Sequence, residues 1–550
     1  MSRSRNTQQE KEGLQRRIRG LTTILHGFAQ QGLSMRPRDF DSFLRHFTTL
    51  LTCSSKYDAG ARRVIAVTGS IDPGQKVRTL IVENSHPNSP MGPISLHLVQ
   101  KRHRSLDEVV AGPPSPDLIR HIEDTWAALS AIDLCATDYA KQLASLEIFF
   151  LRRSFYKFAE RFREDTRLCG GKRLAELIGQ WKPDRPEITL KWVNPPQWLV
   201  ILKGLPKIKS TRMARGQLEW EFSDKTKQDW SGILVFFLTG VDRSIEEVKQ
   251  AREGNLQKQM GRLNFWCHYL YYFVTWNAGI VKDLLTRTNM VDGTTTFMPM
   301  RTDNKAGESK GNQVLRYLWT VVAWHAAVNT LCSDKALPKL LKDIEIGLVQ
   351  VPRSPSSVPT LPEISDEFFI RFPDMIRDRQ VVMVTLESHY SEKRCHSDNM
   401  FFDFVHPEAA LMGLVNYYMH YSAQAGQDVG FRDPQRMQRI VQPLAEAREA
   451  VIAVSEECCW CCDWLGKILE LRFTLPSGTH GMMYPWDPPK VGVSELVLKK
   501  LEGKLWDQLY EIVLRSVESF YSSLARSTGA PKIYLTDESL SEHLLSLLSE

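Results

Sequence analysis

The stretch 450–475 constrains the fold more than any other part of the chain. An apolar run, AVIAV (450–454), leads into SEECCWCC (455–462), a helical pattern CCDWLGKILEL (461–471) follows, and RFTL (472–475) returns to a strand-like run. A strand, a tight turn, a helix and a strand in so few residues read as an α/β unit. Upstream, RQVVMVTL (379–386) and MFFDFV (400–405) read as two further strands. PEAALMGLVNYYMHYSAQ (407–424) reads as a helix with Pro407 at its first position, where the missing N–H costs nothing. A long amphipathic helix from about Ser494 to Arg526 and a last strand, KIYL (532–535), complete the order β-β-α-β-α-β-α-β. The expectation is a sheet covered on both faces, with any ligand site beyond the strand ends, where helices begin.

Before residue 340 the character differs. Apolar residues recur three or four apart over 118–164, 257–285 and 312–332, and no internal repeat is visible. The chain of 550 residues exceeds what one hydrophobic core usually organises. The expected division is a mainly α-helical region 1–340, a linker 341–374 containing the Pro- and Ser-rich VPRSPSSVPTLPE, and an α/β domain 375–550 with a C-terminal helical extension. The first twenty residues, rich in arginine and lacking an apolar core, read as a basic arm rather than a secretory signal.

A net charge of +6 over this length neither demands nor excludes a polyanionic partner. The run with Lys203, Lys207, Lys209, Arg212 and Arg215 reads as solvated surface or as phosphate contacts. The aromatic windows 263–276 and 314–328 are short for a membrane span and carry His268, Arg316 and His325, so they read as buried helices. Of ten cysteines, six are scattered and four are clustered. That usage fits a reducing, intracellular compartment, cytoplasmic or nuclear, with a local metal or redox site rather than a disulfide framework.

Two segments carry chemistry, and both sit where a strand gives way to a helix. In FVHPEAALM, His406 closes a strand and Glu408 lies in the first turn of the next helix; in CCWCC, two C-x-x-C pairs overlap, Cys458 with Cys461 and Cys459 with Cys462. An imidazole and two thiolates at facing helix starts make three metal ligands and leave a fourth position open. An open zinc site binds water and lowers its pKa towards neutrality, and a nearby carboxylate that is not a ligand can move the proton. An H-x-E followed at a distance by C-x-x-C is the pattern of the zinc deaminases. The residues alone also allow a structural zinc completed by Cys395 and His396, or a redox dithiol.

Taken together, HPEAAL, SEECCWCCDWLGKIL and LPSGTHGMMYPWDPP resemble the deaminase-like family of fungi and rickettsia-like bacteria. That family is a branch of the nucleic-acid and nucleotide deaminase superfamily with the cytidine deaminase-like fold, and the resemblance covers roughly residues 375–535. It implies Zn2+ held by His406 and by a cysteine pair whose first member precedes an aromatic residue, which is Cys459 before Trp460, with Cys462. Glu408 would be the proton shuttle. Where the general signature has a proline before the first cysteine, Cys458 stands here. The implied activity is hydrolytic deamination of a nucleobase in a nucleotide or single-stranded nucleic acid. The loop PSGTHGMMYPW (476–486) offers His480, Tyr484 and Trp486 as base contacts, or is a rigid turn. The alternative is a non-catalytic scaffold with a structural zinc, its helical region 1–340 binding protein partners.

Overall fold

The computed structural model describes residues 2–26, 42–54, 64–71, 77–84, 92–102, 104–112, 117–169, 171–186, 189–193, 198–199, 208, 210–212, 218–275, 279–286, 309–334, 337–342, 344–352, 356–391, 400–401, 405–421, 430–447, 449–469, 472–475, 478–479 and 481–528. Its strands are β1 Ile65–Ile71, β2 Val77–Asn84, β3 Ser95–Leu98, β4 Leu190–Val193, β5 Ser210–Arg212, β6 Leu218–Phe222, β7 Glu345–Gln350, β8 Ser356–Ser357, β9 Met400–Phe401, β10 Glu449–Val454 and β11 Arg472–Thr474. One mixed sheet has the order β11-β10-β1-β2-β7-β3; β4, β6 and β5 form a second sheet, and β8 pairs with β9.

The main sheet takes strands from both halves of the chain. β1 and β2 pair antiparallel, and β1 lies antiparallel to β10 through Ala66 opposite Val454 and Thr68 opposite Ile452. β10 runs parallel to β11, with Ala450 opposite Phe473. Parallel neighbours need a crossover, and the helix Trp460–Ile468 supplies it. The other parallel pair, β2 with β7, encloses most of the helical region between its strands.

Side chains alternate across the sheet and so define two cores. Ile65, Val67, Ile346, Leu348 and Ala453 join a core with helices that include Leu118–Ser130, Tyr139–Arg153, Phe155–Leu168, Lys227–Gln250, Glu253–Thr275, Lys310–Val321 and Ala323–Ser333. On the opposite face, Ala66, Val349, Ala450, Ile452 and Val454 pack with residues of Pro407–Tyr421, Pro434–Ala445, Trp460–Ile468 and Glu495–Thr528. The expected sheet covered on both faces is present, and the molecule is mixed α/β with helix predominant.

The two strands expected first in the α/β order are not those of the sheet. Residues 379–386 lie in the helix Arg379–Ser391, where Val382, Leu386 and Tyr390 are buried at four-residue spacing. A short run rich in valine does not by itself separate a strand from a buried helix, and here the helical stripe prevails. Of MFFDFV, Met400–Phe401 form β9, outside the main sheet, and residues 402–404 lie outside the described residues. β1 stands next to β10 instead, with β2 on its far side. Within 341–374, read as a linker, β7 is an interior strand, and Leu361–Arg371 is a helix opened by a capping box of Thr360 and Glu363. KIYL lies outside the described residues.

The basic arm is also structured: Ser2–Ile24 is a helix. Leu14, Ile18 and Leu21 form its buried stripe, which Leu25 extends just past the helix end. Three of its arginines are paired, Arg16 with Glu363 at 2.7 Å, Arg17 with Glu502 at 2.5 Å and Arg19 with Asp487 at 2.6 Å. Of the basic run between 198 and 222, Lys203, Lys207, Lys209 and Arg215 lie outside the described residues. Among the described residues no helix is long and apolar enough to cross a membrane.

Candidate metal centre

His406 directly precedes the helix Pro407–Tyr421, and its carbonyl accepts the amide of Ala410 at 2.9 Å, closing the first turn. Glu408 in that turn is 3 % exposed. Gly413 and Gly492 fix the approach of the chain beside this helix. Gly492 has φ +71°, and a Cβ there would lie 1.7 Å from the Gly413 carbonyl oxygen. Asn416 Nδ2 donates to the Gly492 carbonyl at 2.7 Å, so the segment after the 478–486 loop is tied to the histidine-bearing helix.

Cys459 is the N-cap of Trp460–Ile468, with extended backbone angles φ −74° and ψ 166°, and its carbonyl accepts from the Asp463 amide at 3.1 Å. The cap turns its side chain towards the end of the neighbouring helix, and Cys462, one turn on, follows on the same face. Cys459 Sγ lies 3.4 Å and Cys462 Sγ 3.6 Å from His406 Nδ1. Glu408 Oε1 is 3.8 Å from the same nitrogen. One ligand atom from each of His406, Glu408, Cys459 and Cys462 lies within 4.8 Å of the others, so the group could hold a metal ion.

Cys458 and Cys461 are buried outside this group. The Cys458 amide donates to the Gly478 carbonyl at 3.0 Å, and its carbonyl accepts from Thr479 Oγ1 at 2.9 Å, which places this residue in the turn's framework. Cys395 and His396 lie outside the described residues.

The electrostatics distinguish the members of the cluster. Burial pushes the Glu408 carboxyl above its ordinary value, with His406 opposing the rise and the Cys459 thiolate adding to it. Against the upward pull of burial, hydrogen bonds from the Cys461 and Cys462 thiols, together with His406, hold the Cys459 thiol well below its ordinary value. Burial raises Cys462, and the neighbouring Cys459 thiolate raises it further. Glu408 Oε2 is buried with no hydrogen-bond partner.

Residues 478–479 and 481–487 close one side. Gly478 and Gly481 have φ +70° and +73°, conformations that glycine adopts without strain. The Met482 carbonyl accepts the Trp460 amide at 2.9 Å. Trp486, expected as a base contact, is completely buried, and its indole Nε1 donates to Cys462 Sγ at 3.2 Å. Tyr484 is half-buried, its ring centroid 5.3 Å from that of His26. His480 lies outside the described residues.

Residues that the motifs do not point to also brace the centre. Lys157 Nζ, 1 % exposed, lies 2.9 Å from Glu456 Oε1, and Arg161 donates to the Ser455 carbonyl at 3.2 Å. The helical region thereby grips the turn three residues before Cys459. Thr22, of the first helix, accepts the Trp486 backbone N–H at 3.1 Å. Nothing local in the sequence marks these partners.

Comparison of the chain with family models, with curated proteins and with solved structures found no match.

Proposed function

We propose that the protein is a zinc-dependent hydrolytic deaminase acting on a nucleobase in a nucleotide or nucleic acid. The observation that carries the reading is the meeting of His406, Cys459 and Cys462 with Glu408, whose Oε2 is buried without a partner. The donor set suits zinc. With Zn–S about 2.3 Å and Zn–N about 2.0–2.1 Å, a tetrahedral ion spaces its nitrogen and sulfur ligands about 3.6 Å apart. The two separations here are 3.4 and 3.6 Å. The arrangement of elements also supports the reading: helix Pro407–Tyr421, helix Pro434–Ala445, β10, helix Trp460–Ile468, β11 and helix Glu495–Thr528 follow one another in the chain, and the β1–β2 hairpin, far upstream in sequence, pairs with β10 through β1.

Zinc, when bound, would supply a water of lowered pKa as nucleophile. The rest falls to the chain's own groups. The imidazole and two sulfurs would hold the ion. Glu408 takes a proton from the attacking water and delivers protons to the ring nitrogen and the leaving ammonia, so an amino group is exchanged for an oxo group. Burial that raises its carboxyl towards neutrality suits a group that must both accept and release a proton.

The burial of Glu408, Cys459 and Cys462 at 2–3 % exposure or less favours a second reading, a structural zinc within an interaction protein. Ammonia release separates the two. Purified protein is incubated with cytosine and adenine nucleosides, nucleotides and single-stranded oligonucleotides. Release of ammonia with conversion of amino to oxo product, abolished by chelation and restored by zinc, supports the deaminase; silence across the panel in zinc-loaded protein supports the scaffold.

A further inference from the structure

Trp486 is placed by bonds on every side, and its indole ends on a sulfur. Its backbone N–H donates to Thr22 Oγ1 at 3.1 Å, and Thr22 is itself fully buried. The next residue, Asp487, is paired with Arg19 at 2.6 Å, one turn earlier on the same helix. Before it, the Met482 carbonyl is bound to the Trp460 amide at the start of the cysteine helix. After it, Gly492 is held by Asn416 of the histidine-bearing helix. The indole has one polar atom, a donor, and that atom lies 3.2 Å from Cys462 Sγ in a fully buried setting.

We propose that Trp486 is a positioning residue of the metal centre, whose N–H fixes the Cys462 sulfur in its ligating orientation and withdraws charge from it. This rests on the metal-binding reading of His406, Cys459 and Cys462. The two sulfurs are then unequal: Cys459 takes its place from the helix cap, whereas Cys462 depends on a donor brought by a remote loop. A purely apolar support would need only the volume of the ring; this role needs the N–H. Groups that hydrogen-bond to metal ligands orient them and tune the ion, and their loss typically lowers metal affinity about 10–100-fold.

The test uses cobalt(II) as probe, because thiolate-to-cobalt absorption reports the charge on the sulfur. Full-length protein is prepared as wild type, as Trp486→Phe, and with 3-benzothienylalanine at 486, which keeps the bicyclic shape and replaces the N–H with sulfur. We expect one cobalt per wild-type chain. For both variants we expect affinity about 10–100-fold weaker in chelator competition and a charge-transfer band moved to longer wavelength. The benzothienyl protein should match the wild type in circular dichroism and thermal midpoint without metal, which separates this effect from a packing defect. Wild-type affinity and band position in the benzothienyl protein overturn the proposal while leaving the metal centre intact. A wild type that takes up no cobalt or zinc overturns the metal-binding reading and this proposal with it.

Discussion

The hydroxyl of Thr22 accepts the backbone N–H of Trp486 at 3.1 Å across 464 positions of sequence. Through that bond, and through Arg19 on Asp487, the first helix of the chain supports the loop that reaches the candidate metal centre. Arg19 and Asp487 are 12 % and 9 % exposed at their side chains, so removing Arg19 takes from a buried carboxylate its hydrogen-bonded partner and leaves Lys490 as the remaining cation near it. Arg19→Ala should therefore destabilise the fold by about 3 kcal/mol. Arg16→Ala, which removes a pair exposed at 35 % and 47 %, should cost below about 1 kcal/mol. Urea unfolding of the two variants checks the difference, and equal midpoints would contradict the bracing role of Arg19.

Metal content tests the cysteine register. Cys459→Ala, Cys462→Ala and His406→Ala should each lose bound metal, because a site of three protein ligands does not hold its ion on two. Cys458→Ala and Cys461→Ala should retain it, since both residues stand outside the cluster. Elemental analysis after dialysis reads the outcome, and the reverse pattern would assign the ligands to the other C-x-x-C.

Stability should fall in mild acid through His121. This fully buried ring sits 2.9 Å from the Leu50 carbonyl at Nε2 and 3.3 Å from an Arg153 nitrogen at Nδ1. That arrangement suits the neutral form, with Nε2–H donating and Nδ1 accepting. Burial, aided by Arg153, pushes the ring's pKa down to about 3. The unfolded chain binds the proton near pH 6.5, so the contribution is complete above that value and is lost as pH falls from about 6.5 towards about 3. By pH 5 the loss from this residue is about 2 kcal/mol. Denaturant midpoints at pH 7 and pH 5 should show the fall, and His121→Gln should reduce it; a variant with the full wild-type dependence would contradict the assignment.

The parts of this architecture that were legible in the sequence are those set by local pattern. AVIAV lies in β10, the cysteine turn supplies the cap, CCDWLGKI lies in the helix Trp460–Ile468 and RFT forms β11, because the apolar period and the cap chemistry act over a few residues. His406 and Glu408 fall at a helix start for the same reason. Which strands complete the sheet is a different matter. IAVTGSI and VRTLIVEN flank DPGQK, a pattern that marks a hairpin. That this hairpin pairs with β10, with Thr68 Oγ1 donating to the Val451 carbonyl 383 positions away, depends on tertiary packing alone. The donor to the Cys462 sulfur was hidden likewise, since an indole that packs and an indole that donates look identical in a sequence.

Glu408→Gln tests the central claim most directly. The amide fills nearly the same volume and can still hydrogen-bond, so zinc content and thermal midpoint should stay close to wild type, within about 1 kcal/mol. It cannot take a proton from water and pass it to a ring nitrogen, and loss of a positioned acid and base typically costs about 10²–10⁴ in rate. Ammonia release by zinc-loaded wild type and variant, on the substrate that the panel identifies, is the measurement. The account predicts a wild type that releases ammonia and a Glu408→Gln protein, equally zinc-loaded, that is at least about 100-fold slower. Wild-type release that persists unchanged in the variant would contradict it.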